Sequence, residues 1–280
     1  MRRLALSLGL TVALVAVSAA GAADEGYKPP PKRVSPADGM VAQLKPRGET
    51  PKMADGHADL TGMWGGGPAD APYPASGARG LEFFEPDQAV LQRGTAWNKP
   101  LYKPGLWEKV YGTDYGLVVG DPTFHCLPSG VPRQNMPVKI IQTPKEAVFR
   151  YGNGSVRFIP TDGRKRDPGD DDYELFQGWG LGHWDGETLV VETTGFNNQT
   201  WFLWTGYIHS NRMKVTERFT RKGDVLYYQF TVDDPQMLMQ PWVSDTYVRR
   251  ANRDPLARVE EYLPCVENDE KNLADPYFRG

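Results

Sequence analysis

Little in this sequence points to a familiar catalytic apparatus. It holds four histidines, and none forms a His-x-His or His-x-x-x-His pair, so the common zinc spacings are missing. No serine sits in a Gly-x-Ser-x-Gly elbow. No Gly-x-Gly-x-x-Gly opens a helix and no phosphate-binding loop is present, so neither a nucleotide cofactor nor a resident metal is implied. A net charge of −3 leaves no basic excess for nucleic acid or an anionic membrane surface. Beyond the first 23 residues no apolar run approaches the ~20 residues of a bilayer span.

The apolar run that does exist is N-terminal. Arg2-Arg3 precedes an apolar stretch from Leu4 to Val17, and small residues follow to Ala23. A charged start, a short apolar core and small residues are the parts of a secretory signal peptide, expected at 1–23, which directs the chain to the periplasm or outside. Removing Arg2 and Arg3 leaves 30 basic against 35 acidic residues, or −5. In an exported chain the two cysteines, Cys126 and Cys265, read first as one disulfide. It would close a loop of about 140 residues and stabilise by about 4 kcal/mol in the chain-entropy model.

Residues 24–58 are rich in Pro, Lys and Gly with no apolar period, and are expected to form an arm or linker. A single domain is expected over 59–280, with a helical and loop-rich insertion at about 81–136. There, Pro100 and Pro104 divide two short helical pieces between Phe84 and Val110. From Pro137 onward the pattern changes to short β-rich runs separated by turn signals. The runs are Val138–Thr143, Ala147–Tyr151, Ser155–Ile159, Trp179–Trp184, Thr188–Thr194, Met213–Thr220, Val225–Val232, Val243–Arg249 and Val259–Leu263. The fold class is therefore mainly β: an antiparallel up-and-down meander forming a barrel or a strongly curved sheet, with short helices in the N-terminal half.

One hairpin organises the rest. Asp185-Gly186 signals a two-residue type I′ turn, which would set Trp184 opposite Glu187 and His183 opposite Thr188. Gly178, Gly180 and Gly182 then share a face with Trp184, Leu189, Val191 and Thr193. The opposite face carries Trp179, Leu181 and His183 with Val190 and Glu192. Alternate glycines clear one face for something bulky, either a ligand or another part of the chain.

Four titratable side chains are candidates for acid–base chemistry. Glu192 lies two residues from Val190, and Glu217 lies between Val215 and Phe219, so each carboxylate shares an otherwise apolar row. Facing an interior, they suit general acid or base work; the alternatives are a buried bridge to Arg157, Arg218 or Arg249, or solvent. His183 and His209 complete a candidate proton-transfer set, His183 roughly 13 Å along the hairpin from Glu192. The aromatic insertion with Trp201, Trp204 and Tyr207 either lids a barrel mouth or plugs the core, and Trp179 and Trp184 are further rings for a flat ligand. The acidic run Asp167–Asp172 lacks the alternating spacing of a calcium loop and reads as a solvated loop.

Leu60-Thr-Gly-Met-Trp64 resembles the Gly-x-Trp strand that opens lipocalins, whose tryptophan closes the barrel floor. A longer similarity covers about Gly120 to Asn268. It is carried by Cys126-Leu-Pro-Ser-Gly-Val-Pro-Arg133, by Trp184-Asp-Gly-Glu-Thr-Leu-Val-Val-Glu-Thr-Thr-Gly-Phe-Asn197 and by His209-Ser210. Val215-Thr-Glu-Arg-Phe219, Asp233-Asp-Pro235 with Pro241-Trp242, and Glu261-Tyr-Leu-Pro-Cys-Val-Glu-Asn268 extend it. These patterns resemble a large set of exported bacterial proteins of unassigned function. The resemblance implies export and a lipocalin-like β fold, and brings no catalytic residues. The resulting expectation is an exported barrel that binds a small apolar or aromatic molecule, with cofactor-free chemistry of lyase, isomerase or hydratase type. A passive carrier, or an envelope protein with a filled core, is the alternative.

Overall fold

The computed structural model describes residues 44–65, 100–106, 108–110, 121–167, 169, 173–203, 206–244, 246–261 and 265. The signal peptide at 1–23, most of the arm and most of the helical insertion lie outside the described residues. Among the described residues no helix is long and apolar enough to cross a membrane.

The described residues build two antiparallel sheets and a short hairpin. Strands β1 (Gly62–Met63), β2 (Lys139–Gln142), β3 (Glu146–Arg150) and β4 (Val156–Pro160) form the smaller sheet in chain order. The larger sheet runs β11 (Trp242–Val243), β10 (Val225–Asp233), β9 (Lys214–Lys222), β6 (Thr188–Thr194), β5 (Trp179–Asp185), and β12 (Tyr247–Arg250) also pairs with β10. A two-stranded piece, β7 (Trp201–Leu203) with β8 (Tyr207–Ile208), stands in the aromatic insertion. The run at Val243–Arg249 thus divides into two strands, and Val259–Glu261 is not a strand.

Period-two alternation decides what goes inside. In β9, Val215, Glu217, Phe219 and Arg221 are buried; in β10, Leu226, Tyr228, Phe230 and Val232 are, with Tyr227, Gln229 and Thr231 turned outward. The smaller sheet turns Ile140, Ala147, Phe149 and Ile159 to the same core. Phe149 meets Phe219 at 4.8 Å between ring centroids, and Phe219 stacks on Tyr228 at 4.8 Å. Aromatic rings of both sheets therefore fill the space between them.

At one seam the sheets are joined by main chain. Trp64 bridges Ala251, the Gly65 N–H donates to the Arg250 carbonyl (3.0 Å), and the Asn252 N–H donates to that of Met63 (2.8 Å). Trp64 is fully buried, its indole N–H donating to the Leu60 carbonyl at 2.9 Å. At the other seam β4 and β5 share no ladder among the described residues, so the hydrogen bonding does not close into a barrel. Side chains of the smaller sheet lie instead against the glycines of β5. A Cβ on Gly180 would stand 2.9 Å from Ile159 Cδ1 and 3.0 Å from Arg157 Nη2; one on Gly182 would stand 2.9 Å from Thr161 Cγ2. The bulky neighbour of the glycine face is the protein itself.

The hairpin keeps its expected faces but not its expected register. Asp185 pairs with Thr188, Trp184 with Leu189 and His183 with Val190. Gly186 and Glu187 are the loop residues, and of the two only Gly186 has positive φ (59°), which fits a II′ rather than a I′ turn. Asp185 stays in the strand, where its carboxylate accepts from Arg218 at 2.8 Å. Because the slip is two residues, every side chain keeps its face. The later part of the arm is bound too. Arg47 N–H donates to Asp224 (2.8 Å), Gly223 N–H to Thr50 Oγ1 (2.9 Å), and Ala58 and Leu60 are buried.

The glycine face predicts a measurable cost. Gly180→Ala and Gly182→Ala each overpack a site already in contact, and should destabilise by about 1–3 kcal/mol in urea unfolding. Gly186→Ala meets no atom within 4 Å and should lose only the positive-φ preference, on the order of 1 kcal/mol.

Candidate functional site

Glu217 is the buried carboxylate of the core. The β6–β9 register sets it opposite Val191, and the β9–β10 register opposite Phe230, both inward-facing. From the smaller sheet Arg157 reaches it. The Arg157 Nη1 donates to Glu217 Oε2 at 2.7 Å, with side chains only 4% and 1% exposed. Three hydroxyls complete the arrangement. The same Nη1 lies 2.9 Å from the Tyr151 hydroxyl, Nη2 donates to Thr193 Oγ1 at 2.9 Å, and Tyr228 donates to Glu217 Oε1 at 3.0 Å. Both carboxylate oxygens and both terminal guanidinium nitrogens are occupied, as a buried ion pair requires.

The protonation states are fixed by that enclosure. Burial pushes the Tyr151 and Tyr228 hydroxyls well above the ordinary tyrosine range, and the Glu217 carboxylate adds to this. Burial works against charge on Arg157, but the Glu217 carboxylate outweighs it and holds the guanidinium protonated. Neither tyrosine nor the guanidinium gives up its proton at neutral pH.

The other predicted acid–base residues do not join it. Glu192 pairs with Thr216 in the ladder, one position from the Val191–Glu217 pair, so it points to the opposite face of the sheet. There it is exposed and ion-paired with Lys214. His183 is exposed on that outer face as well. His209 is buried elsewhere, in the insertion. Its Nδ1 meets the Ser210 carbonyl at 2.9 Å and its Nε2 meets Thr200 Oγ1 at 2.9 Å. A carbonyl can only accept, so Nδ1 carries the hydrogen and Nε2 accepts from Thr200. Burial lowers the His209 pKa, against the Ser210 carbonyl and the Asp234 carboxylate, which act to raise it.

The aromatic candidates are placed as packing groups. Trp201 is buried with the Arg133 guanidinium 5.5 Å from its ring centroid, and Arg133 is held by Asp121, Nη1 to Oδ1 at 2.8 Å. Tyr207 packs between Tyr102 (6.2 Å) and Phe202 (6.0 Å). The insertion therefore covers and extends the core. Trp204 lies outside the described residues. Trp184, half-buried, stacks on His57 at 4.7 Å and 11°. Trp179 is half-buried, its indole donating to the Tyr173 carbonyl at 3.2 Å, with Arg166 5.7 Å over the ring.

Arg157 stood among three arginines the sequence offers as partners for Glu217. Tyr151, Thr193 and Tyr228 were not foreseen, although Tyr228 sits in the inward row of a strand whose alternation is plain. The buried Asp121–Arg133 pair and Asp234 were also missed. Asp234 accepts from Ser210 N (2.7 Å), Ser210 Oγ (2.8 Å) and Gln236 N (3.1 Å), and so ties the insertion to the turn after β10. The sequence signal was present as Asp-Asp-Pro, which marks the turn but not its long-range partner.

Two surface depressions stand out among the described residues. One of about 390 Å³ is lined by Thr143, Pro144, Lys145, Glu146 and Arg164, and one of about 150 Å³ lies at Arg218, Tyr227 and Gln229. Neither contains a predicted site residue. No group of three or more His, Cys, Asp or Glu among the described residues is placed to hold a metal ion. Cys126 and Cys265 stand at disulfide distance, their Cα atoms 5.5 Å apart. Comparison of the chain with family models, with curated proteins and with solved structures returns no match.

Two outcomes follow from this geometry. Glu217→Ala leaves the Arg157 charge buried without its partner and should destabilise by about 3–5 kcal/mol, whereas Arg157→Met with Glu217→Leu should recover most of that. Urea midpoints of Glu217→Ala and of the double variant decide it. For His209 the folded pKa lies below the ordinary 6.5, so an unfolded chain takes up a proton that the folded one refuses. Its contribution is complete above that value and is lost as pH falls toward the folded one. Asp185 and Asp224, held below the usual 3.8, act only at lower pH. The urea midpoint should therefore drop between about pH 7.5 and 5.5, and drop less in His209→Gln.

Proposed function

We propose that this is an exported, filled β-barrel of the cell envelope that acts through its outer surface and encloses no ligand. The observation that carries the proposal is the Arg157–Glu217 pair. The inward-facing ionisable groups at the centre of the fold are neutralised by each other and capped by the Tyr151, Tyr228 and Thr193 hydroxyls. An acid–base site needs a group that exchanges protons beside a space for substrate. Here Glu217 is engaged on both oxygens, Glu192 and His183 stand on the other face, and His209 is buried against protein partners.

Closure of the two sheets into a barrel belongs to the same proposal. The Trp64–Ala251 seam and the packing of Ile159 and Thr161 onto the β5 glycines support it, as does the lipocalin-like opening strand at Leu60–Trp64. Export rests on the N-terminal Arg2-Arg3, apolar run and small residues, with the cysteine pair and the resemblance to exported bacterial proteins in agreement.

Native mass spectrometry with small-molecule extraction, on protein purified from the periplasm, tests the reading. The expected mass is that of the bare chain beginning after Ala23 with one disulfide, and no adduct should form with a panel of apolar and aromatic compounds. A stoichiometric organic ligand would overturn the filled barrel and restore the carrier or enzyme.

A further inference from the structure

The outer faces of the two sheets differ in kind. On the larger one Arg218 and Lys214 of β9 are ion-paired, with Asp185 at 2.8 Å and with Glu192, Lys222 lies 5.7 Å from the Tyr227 ring centroid, Thr188 bonds Thr220 at 2.7 Å, and Val243 is 46% exposed. On the smaller one apolar side chains are laid bare. Phe158 is 66% exposed, Ile141 46% and Val156 42%.

These are not scattered. The ladder sets Ile141 opposite Val148 and Val148 opposite Phe158, so the three form one row across β2, β3 and β4. Period two puts Lys139, two residues before Ile141, on the same face. Lys145 stands in the turn between β2 and β3, on the other side of the row from Lys139, and lines the 390 Å³ depression there. Neither lysine makes an ion pair among the described residues, and both are exposed. Arg150 shares the face beside Val156, with its guanidinium directed to the Tyr151 and Glu260 carbonyls. Glu146, half-buried, is the carboxylate that faces outward from β2–β4. Along the strand direction a cation thus flanks the apolar row on either side. It has the layout of an interface, with an aromatic anchor inside a charged rim.

We propose that the outward face of β2–β4 docks an extended acidic segment of a partner protein. One apolar side chain of that segment rests on Ile141, Val148 and Phe158, and carboxylates flanking it meet Lys139 and Lys145. In an extended chain, residues two apart share a face, so acid, apolar and acid groups at every second position span roughly 13 Å. That matches the run of β2 from Lys139 toward its turn. The inference rests on the reading of a protein that works through its surface.

The test uses the mature chain, isotope-labelled at Ile and Val methyls, and the peptide acetyl-Ser-Glu-Ser-Phe-Ser-Glu-Ser-amide. Saturable shifts of the Ile141, Val148 and Val156 methyls are expected, weakened at least threefold by about 0.5 M salt. Phe158→Ser, and separately Lys139→Glu with Lys145→Glu, should each weaken binding about tenfold while circular dichroism stays unchanged. Three results would overturn the proposal: no shifts at these methyls, equal shifts with lysines in place of the peptide's glutamates, or shifts produced by phosphatidylglycerol vesicles and not by the peptide. Self-association in sedimentation that Phe158→Ser abolishes would also overturn it, because the face would then belong to a second copy. These results are independent of the mass of the purified chain, so a bound interior ligand sinks the filled barrel without touching this surface.

Discussion

A buried ion pair ties the two sheets of this fold together across their core. Arg157 belongs to the smaller sheet and Glu217 to the centre of the larger one, and neither reaches solvent. Desolvating each ion costs several kcal/mol, which the attraction between them recovers only if every remaining donor and acceptor is engaged. Tyr151, Tyr228 and Thr193 meet that condition from three further strands or their ends. The result is a constraint on geometry more than a source of net stability. A shift of one sheet along the other would leave a charge alone in an aromatic core.

The constraint explains the glycines of β5. A guanidinium that must lie flat between the sheets needs a floor without side chains, and Gly180 supplies it, since a Cβ there would stand 3.0 Å from Nη2 and 3.3 Å from Thr193 Oγ1. The same logic recurs at the periphery. Asp121 holds Arg133 beneath Trp201, Asp234 gathers Ser210 and the turn after β10, and Asp224 binds Arg250 and the Arg47 N–H. Each is a buried carboxylate that fastens separate stretches of chain to one another.

Most of the strands, and which side chains of the β5–β6 hairpin and of β10 share a face, were legible in the sequence because both follow from period-two alternation. The meander was legible too, through its turn signals. What one strand does relative to another was not. Glu192 and Glu217 each sit in an apolar-looking row, and only the ladder, which sets Val191 rather than Glu192 beside Glu217, shows that they face opposite ways. Asp185-Gly186 marked the hairpin, yet Asp185 pairs with Thr188 in the ladder and the loop lies one residue further on. Arg157 was one of three arginines available to Glu217. Choosing among them needs the position of β4 against the larger sheet, a contact over 60 residues of sequence. The aromatic insertion was open between lid and plug for the same reason, because burial of Trp201 and Tyr207 depends on what lies opposite.

An alternate-glycine strand, inward carboxylates and a ring-rich insertion are what a ligand-binding barrel also contains. The difference lies in what fills the cleared space. Here Arg157, Ile159 and Thr161 occupy the glycine face, and Phe149, Phe219 and Tyr228 occupy the room between the sheets. Recognition by such a fold falls to groups that its own packing leaves unmatched. On the larger sheet the projecting charges of β9 find partners; on the smaller sheet an apolar row and two lysines do not. Phe158 pairs with Val148 in the ladder, yet its ring stays 66% exposed. The bulky groups of the core are enclosed by their neighbours and this one is not, which is the contrast on which the proposed docking surface rests.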